Sequence, residues 1–320
     1  MSALRFYSAD EVHSVLSLPA LADAIGQALL TCAQAPLRHT HALSQTDSLL
    51  LMPAWSGDEG GAIGVKLVTV FTGNRTDQTA IASNGASPTV NAVYVVFDRK
   101  NGAPRAVIDG EALTLRRTAA ASLLAARYLA PVDASAVLIV GTGRLARFMA
   151  HAHCSGRSVR QLLIWGRDRQ RAQSLVSALL DDGLPAEATV DLRTAVASSH
   201  VVSSATTATS PVVLGAWLSP GTHLDLVGAF KRTMREVDDA AVARARVYVD
   251  TYAGALAEAA DIVEPIERGV IRRADVLGEL RDLVAATATG RCSADEITLF
   301  KSVGTAIEDL AAAQLLLSLT

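Results

Sequence analysis

The feature that most narrows what this chain can fold into is Val137-Leu-Ile-Val140 followed without a break by Gly141-Thr142-Gly143-Arg144-Leu145-Ala146. A continuous apolar run reads as a buried strand, and the stretch from Arg144 onward reads as a helix. Between them lies a G-x-G-x-x-A turn. The first glycine permits a tight turn, and the second lets a pyrophosphate approach the backbone. The small third residue lets helix and strand pack closely, and the helix N-terminus offers amide donors to the anion. A lone match of this kind also suits a purely structural turn. Here a second apolar strand, Gln161–Trp165, follows the helix, which is the spacing of a dinucleotide-binding unit.

The alternation continues beyond the turn. Ala186–Val190, Val201–Ser204, His223–Val227 and Arg246–Asp250 read as further strands with helical stretches between most of them. That order predicts an α/β fold, a Rossmann-type doubly wound parallel sheet. Upstream the pattern differs. Leu49–Met52, Ile63–Phe71, Val90–Phe97 and Arg105–Ile108 are short and β-branched, with turns such as Asn101-Gly102 between them. Ser8 with Glu11 reads as a capping box, and Pro19 opens a second helix that carries Leu21, Ile25 and Leu29 on one face. The N-terminal third is therefore α+β. An Ala-rich helix, Leu113–Leu129, ends before Pro131, and the tail Ser293–Leu317 reads as one more helix-rich segment.

The end of the second strand bears on which dinucleotide is bound. An NAD site usually places a carboxylate there for the ribose 2′-hydroxyl. This chain has Gly166 and Arg167. A guanidinium pairs with a 2′-phosphate that a carboxylate would repel, and Arg144 and Arg169 are expected to add positive potential. NADPH is the expected cofactor, with NADH the alternative; the competing reading makes Arg167 a solvated surface charge. Asp168 is one residue too far along for the ribose and is better placed to cap the next helix.

Lys66 stands in the middle of an apolar strand, where an unpaired ammonium is expensive, so it is paired, snorkelling or functional; the competing reading is a surface lysine on an edge strand. Arg38 and the pair Arg116-Arg117 suit either a carboxylate clamp or an interdomain salt bridge, and His39 and His41 suit a turn or surface. Other classes are excluded more readily. The net charge is −3 with Lys and Arg scattered, so no nucleic-acid or anionic-membrane footprint is visible. Cys32, Cys154 and Cys292 show neither metal spacing nor a disulfide framework, and no apolar run is long enough for a membrane span. No secretory signal opens the sequence. The expectation is a cytoplasmic protein without a metal.

Taken in order, GVKLVT around Lys66, VYVVFDRKNGAPRAVIDGEALTLRRTAAAS, the glycine turn, MREVDDA and GRCSADEITLFKSVGTAIEDLAAA resemble the ornithine cyclodeaminase/mu-crystallin family nearly end to end. The resemblance implies a homodimer, with residues 1–115 and 300–320 forming an α+β substrate-binding and dimerisation domain and residues 116–299 the Rossmann domain. It implies that Arg38, Lys66 and Arg117 bind substrate and that Lys66 is catalytic. Thr89, Arg117, Thr118, Gly141, Thr142, Gly143, Arg144, Leu145, Ala146, Arg167, Thr206, Val227 and Val303 would contact the cofactor. One departure decides the expected chemistry. Cyclodeaminases of the family carry a catalytic aspartate just after the strand that reads THLDLVGAF here, and this chain has Phe230 at that position. Asp225, on the strand itself, reads as structural. The resemblance then implies NAD(P)H-dependent reduction of a cyclic 2-imino acid, Δ1-pyrroline-2-carboxylate or Δ1-piperideine-2-carboxylate. Ornithine cyclodeamination, or ligand binding with weak catalysis, are the alternatives.

Overall fold

The computed structural model describes residues 4–57, 61–74 and 88–320. They form two units, Met1–Arg117 with Thr305–Thr320, and Thr118–Gly304.

In the first unit six strands form one sheet: β1 (Arg5–Tyr7), β2 (His39–Ala42), β3 (Ser48–Trp55), β4 (Ala62–Val70), β5 (Val90–Asp98) and β6 (Pro104–Asp109). Their spatial order is β1-β6-β5-β4-β3-β2. Only β1 pairs in parallel; the others are antiparallel. Helix α1 (Ala9–Val15) starts with the expected capping box, Ser8 to Glu11. Helix α2 (Leu18–Leu30) buries Leu21, Ala22, Ile25 and Leu29. The first unit also takes the beginning of α3 (Gly110–Leu129). That helix starts three residues earlier than its apolar period suggested, because the Asp109 carboxylate accepts the Ala112 amide at 2.8 Å and caps it.

Two features of this unit lay outside the sequence reading. β1 and β2 are too brief and too exposed to show a period, while His39 and His41, expected in a turn or at the surface, stand exposed on β2, an edge strand. β3 runs on through Pro53, where a proline would ordinarily argue against a strand. Trp55 exchanges backbone bonds with Gln34 on the side away from β4. The Pro53 nitrogen, two residues earlier, faces that same side, where β2 has already ended. No ladder bond is lost.

In the second unit eight parallel strands form the sheet: β7 (Ala136–Val140), β8 (Gln161–Trp165), β9 (Ala186–Ala188), β10 (Val201–Ser204), β11 (His223–Leu226), β12 (Ala245–Val249), β13 (Val276–Glu279) and β14 (Ile297–Lys301). The order is β13-β12-β14-β11-β10-β7-β8-β9, the doubly wound arrangement that the alternation predicted. All residues of β7, β10, β11 and β14 are buried, as parallel strands covered on both faces require. β14 corrects the reading of the tail as helical. Ile-Thr-Leu-Phe-Lys shows no alternation because both its faces are buried, and it inserts between β11 and β12 near the middle of the sheet. The helix after it, α11 (Ala306–Leu319), belongs to the first unit and packs there on α2, β3 and β4. Between these lie α4 (Arg144–Cys154), α5 (Arg169–Asp181), α6 (Leu192–Ser198), α7 (Asp239–Arg244), α8 (Tyr252–Glu258), α9 (Ala260–Glu267) and α10 (Leu280–Val284).

Candidate dinucleotide and substrate-binding residues

The turn after β7 has the geometry a pyrophosphate needs. Gly141 adopts φ +127°, and a Cβ there would stand 2.6 Å from the Ala205 carbonyl oxygen, so only glycine fits. At Gly143 a Cβ would meet nothing within 4 Å, so the missing side chain leaves open approach to the backbone. Gly143 is also the N-cap of α4 and no side chain caps it, which leaves the positive end of the helix to an anion. Ala146 is fully buried, as the close packing of α4 requires. A cleft of about 390 Å³ opens here, lined by Gly141, Thr142, Gly143, Arg167, Thr206 and Val212 among others. The residues present fit a dinucleotide.

Gly166 and Arg167 lie at the same mouth. A Cβ on Gly166 would meet the Thr142 side chain at 2.5 Å, so β8 ends in direct contact with the turn. Arg167 is exposed and faces the cleft. Asp168 caps α5, accepting the Gln170 and Arg171 amides at 2.9 and 3.1 Å, as its offset suggested. Arg144 is exposed at the start of α4, and Leu145 is half-buried beside it.

The far wall is held by a carboxylate that sequence reasoning missed. Glu236, fully buried, accepts from Ser204 Oγ at 2.6 Å, from Thr206 N and Oγ1 at 2.8 and 3.0 Å, and from the Gly228 and Ala229 amides at 2.8 and 3.0 Å. It thereby ties together the segments that leave β10 and β11. A Cβ on Gly228 would stand 2.1 Å from the Thr206 carbonyl oxygen, which shows how closely these segments pass. Behind Glu236 sits Lys301, also fully buried, 3.1 Å from Asp261 and 3.6 Å from Glu236. Burial pushes the Glu236 carboxyl up from its ordinary range, against the pull of Lys301. Val227 is buried beside this staple, and Val303 is held by its amide donating to Asp250 at 2.8 Å. Nothing local in MREVDDA marked Glu236, because Arg235, Asp238 and Asp239 beside it give the segment the look of a solvated charged stretch.

In the first unit Lys66 is 2% exposed and lies on an interior strand, which removes the reading of a surface lysine on a sheet edge. Along β4, Ala62, Gly64 and Lys66 occupy the face that α11 covers. The Lys66 ammonium lies 2.8 Å from Asp309 Oδ2 and donates to Asp309 Oδ1 at 2.9 Å and to Thr114 Oγ1 at 3.4 Å. Arg117, equally buried, donates to Asp309 Oδ1 at 3.1 Å and to Glu308 Oε2 at 2.8 Å. Both carboxylates sit in the first turn of α11, where the helix dipole favours negative charge. Burial brings the Lys66 pKa from 10.5 down to about 8; Asp309 opposes the fall, while Arg117 and Arg38 deepen it. Arg38 is half-buried just before β2. Arg116 is turned elsewhere, donating to the His13 ring at 3.3 Å and to the His13 carbonyl oxygen.

The remaining expected residues are held by other contacts. Thr89, just before the start of β5, joins it to Asn74, donating to the Asn74 carbonyl oxygen at 3.1 Å. Thr118 is buried on α3. Phe230 follows β11 and packs partly buried against the core of the second unit, with Lys231 over its ring at 5.6 Å. Asp225 is fully buried and accepts from Ser122, His153 and Ser203 at 2.9, 2.7 and 2.8 Å. Its partners hold its carboxyl below the ordinary range despite burial. Among the described residues no cluster of His, Cys, Asp and Glu is suited to a metal, and no helix is long and apolar enough to cross a membrane.

The model of the ornithine cyclodeaminase/mu-crystallin family matches residues 4–318. The chain belongs to that family. It is similar to a Δ1-pyrroline-2-carboxylate reductase of Paracoccus denitrificans, 40% identical over 97% of this chain and 95% of the relative. Among solved structures it resembles the Δ1-pyrroline-2-carboxylate reductase of Thermococcus litoralis in complex with NADH and L-proline, with TM-score 0.90 and 32% identity over 98% of this chain and 97% of that one. An archaeal alanine dehydrogenase dimer with bound NAD is also similar, with TM-score 0.88 and 28% identity over 98% and 95%.

Proposed function

We propose that this protein reduces the C=N bond of a cyclic 2-imino acid, Δ1-pyrroline-2-carboxylate or Δ1-piperideine-2-carboxylate, giving L-proline or L-pipecolate. The single observation that carries reduction over cyclodeamination is the fate of the carboxylates near β11. Phe230 can take no proton, and Asp225 cannot replace the missing aspartate, because it is fully buried and already accepts three hydrogen bonds. Cyclodeamination moves protons at two amines, whereas reduction of an iminium needs no strong base. The reductases among the relatives support the same reading.

A reduced nicotinamide, when bound, supplies the hydride. The Gly141–Ala146 turn holds the pyrophosphate on the N-terminus of α4, with Thr142, Arg144, Leu145 and Thr206 around it. Arg167 pairs with a 2′-phosphate while Asp168 stays occupied as a cap, which makes NADPH the preferred form over NADH. Thr89, Thr118, Val227 and Val303 complete the cofactor contacts. Lys66, Arg117 and Arg38 bind the substrate carboxylate through charge-assisted hydrogen bonds. Lys66 delivers the proton to the substrate nitrogen. The domains follow the two units, residues 1–117 with 305–320 binding substrate and residues 118–304 binding the dinucleotide. The protein is a homodimer, like the alanine dehydrogenase that it resembles, and its three free thiols suit a reducing cytoplasm.

The test compares NADPH oxidation by Δ1-pyrroline-2-carboxylate with ammonia release from L-ornithine. Imine reduction without ammonia release is expected. Ammonia release without imine reduction would overturn the reading, and the absence of both would favour a binding protein.

A further inference from the structure

Lys66 and Arg117 meet their counter-charges on one short piece of chain, the first turn of α11. Asp309 is the shared partner, with one oxygen accepting from both Lys66 Nζ and Arg117 Nε, and it is fully buried. Glu308 touches Arg117 from the other side. A buried ion pair of this kind is weak evidence for stability, since two apolar residues of equal volume would often serve as well. Its retention beside an ammonium with lowered proton affinity calls for another explanation.

We propose that Asp309 is a positioning residue that orients the Lys66 ammonium and keeps its proton on it until the substrate nitrogen takes it. The inference rests on the reading of Lys66 as proton donor given above. In the reaction a Lys66 N–H bond breaks as the imine nitrogen's lone pair takes the proton, giving the iminium. Its carbon then takes the hydride that a bound reduced nicotinamide would supply, and the C=N π pair moves to nitrogen as the neutral amine forms. The neutral lysine regains its proton from solvent, and Asp309 remains a carboxylate throughout.

The groups around Lys66 give the sign of the effect. Asp309 raises its proton affinity; Arg117 on α3, Arg38 ahead of β2, and burial lower it. Thr114 on α3 accepts a hydrogen bond from Lys66, Glu308 on α11 is engaged with Arg117, and Met52, its partner on β3, is uncharged. Tyr94, its partner on β5, stays a neutral phenol because burial and Asp309 push its pKa far up. Asp309→Asn removes the one group that raises Lys66 and leaves those that lower it.

In the wild type, kcat/KM for Δ1-pyrroline-2-carboxylate should fall as pH rises through about 8. In Asp309→Asn that falling limb should move down by about 1–3 pH units. Asp309→Glu, one methylene longer, should return it to within about half a unit of the wild type. Glu308→Gln should raise KM while leaving the limb in place. A second readout needs no turnover: the rate at which acetic anhydride acylates Lys66 in the cofactor-free protein, followed by mass spectrometry across pH. It should report titration near 8 in the wild type and lower in Asp309→Asn. If Asp309→Asn fails to fold, Asp309→Glu and wild-type labelling still decide. An unshifted limb in Asp309→Asn, an equal loss of rate at every pH, or wild-type labelling that begins only near 10 would overturn the assignment. Failure of the wild type to reduce any imine would instead overturn the proposed reaction, leaving the labelling result to stand by itself.

Discussion

Replacing Glu236 by glutamine should damage dinucleotide binding out of proportion to so small a change in shape. The new NH₂ group must point at one of the two sets of donors that the carboxylate now serves. On the Oε2 side it would face the Gly228 and Ala229 amides, neither of which has another role to turn to. On the Oε1 side two of the three donors are hydroxyls, of Ser204 and Thr206, and these can rotate to accept instead. That orientation is cheaper and leaves one donor, the Thr206 amide, without an acceptor. A buried orphaned amide costs about 1–3 kcal/mol. The remaining bonds drop from charge-assisted to neutral, roughly half as strong, and Lys301 keeps only Asp261. A total of about 2–4 kcal/mol follows, and at about 2–4 °C per kcal/mol the second unit should melt some 5–15 °C lower. Because Thr206 lines the cleft, NADPH affinity should fall about tenfold or more, equivalent to some 1.4 kcal/mol. Differential scanning fluorimetry and a fluorescence titration with NADPH measure the two effects. A Glu236→Gln protein that melts within about 2 °C of the wild type and binds NADPH equally would refute the idea that this carboxylate braces the cleft.

Two other substitutions test separate parts of the site. Arg167→Asp should lower the ratio of NADPH to NADH efficiency by about 10–30-fold, since a hydrogen bond between charged groups contributes about 1.5–3 kcal/mol and an exposed one falls at the low end; steady-state kinetics with both cofactors checks it. Lys66→Met should reduce imine turnover by about 10²–10⁴-fold while NADPH still binds, because Asp309 keeps Arg117 as its partner; turnover and a binding titration, measured on one preparation, separate the two.

The dinucleotide turn was legible because its requirements are local. Gly141, Gly143 and Ala146 each answer a need set by the neighbouring strand and helix, and the strand spacing carries the sheet order with it. The Asp168 cap was legible for the same reason. What could not be read depended on residues far apart in the chain. Lys66 announced that it needed a partner, but nothing near it in sequence named Asp309. Glu236 braces two segments that each precede it, and only the folded sheet shows that they converge. β14 was missed through the opposite failure, because burial on both faces removes the alternation by which a strand is recognised and leaves a run that blends into the helix after it. The strand read as Leu49–Met52 proves longer for a third reason, since the cost of Pro53 depends on which side of the strand is already empty.

The distance between Lys66 and Asp309 along the chain is 243 residues, and all of Thr118–Gly304 is made in the interval. A ribosome adding about 5–20 residues per second therefore exposes the lysine roughly 10–50 seconds before its carboxylate exists. During that time the nascent sheet carries an ammonium in its interior face with no helix to cover it, and the second unit receives its last strand, β14, only at the end of the interval. Neither sheet can therefore close early: the second waits for β14 and the first for α11, and the two segments leave the ribosome one directly after the other.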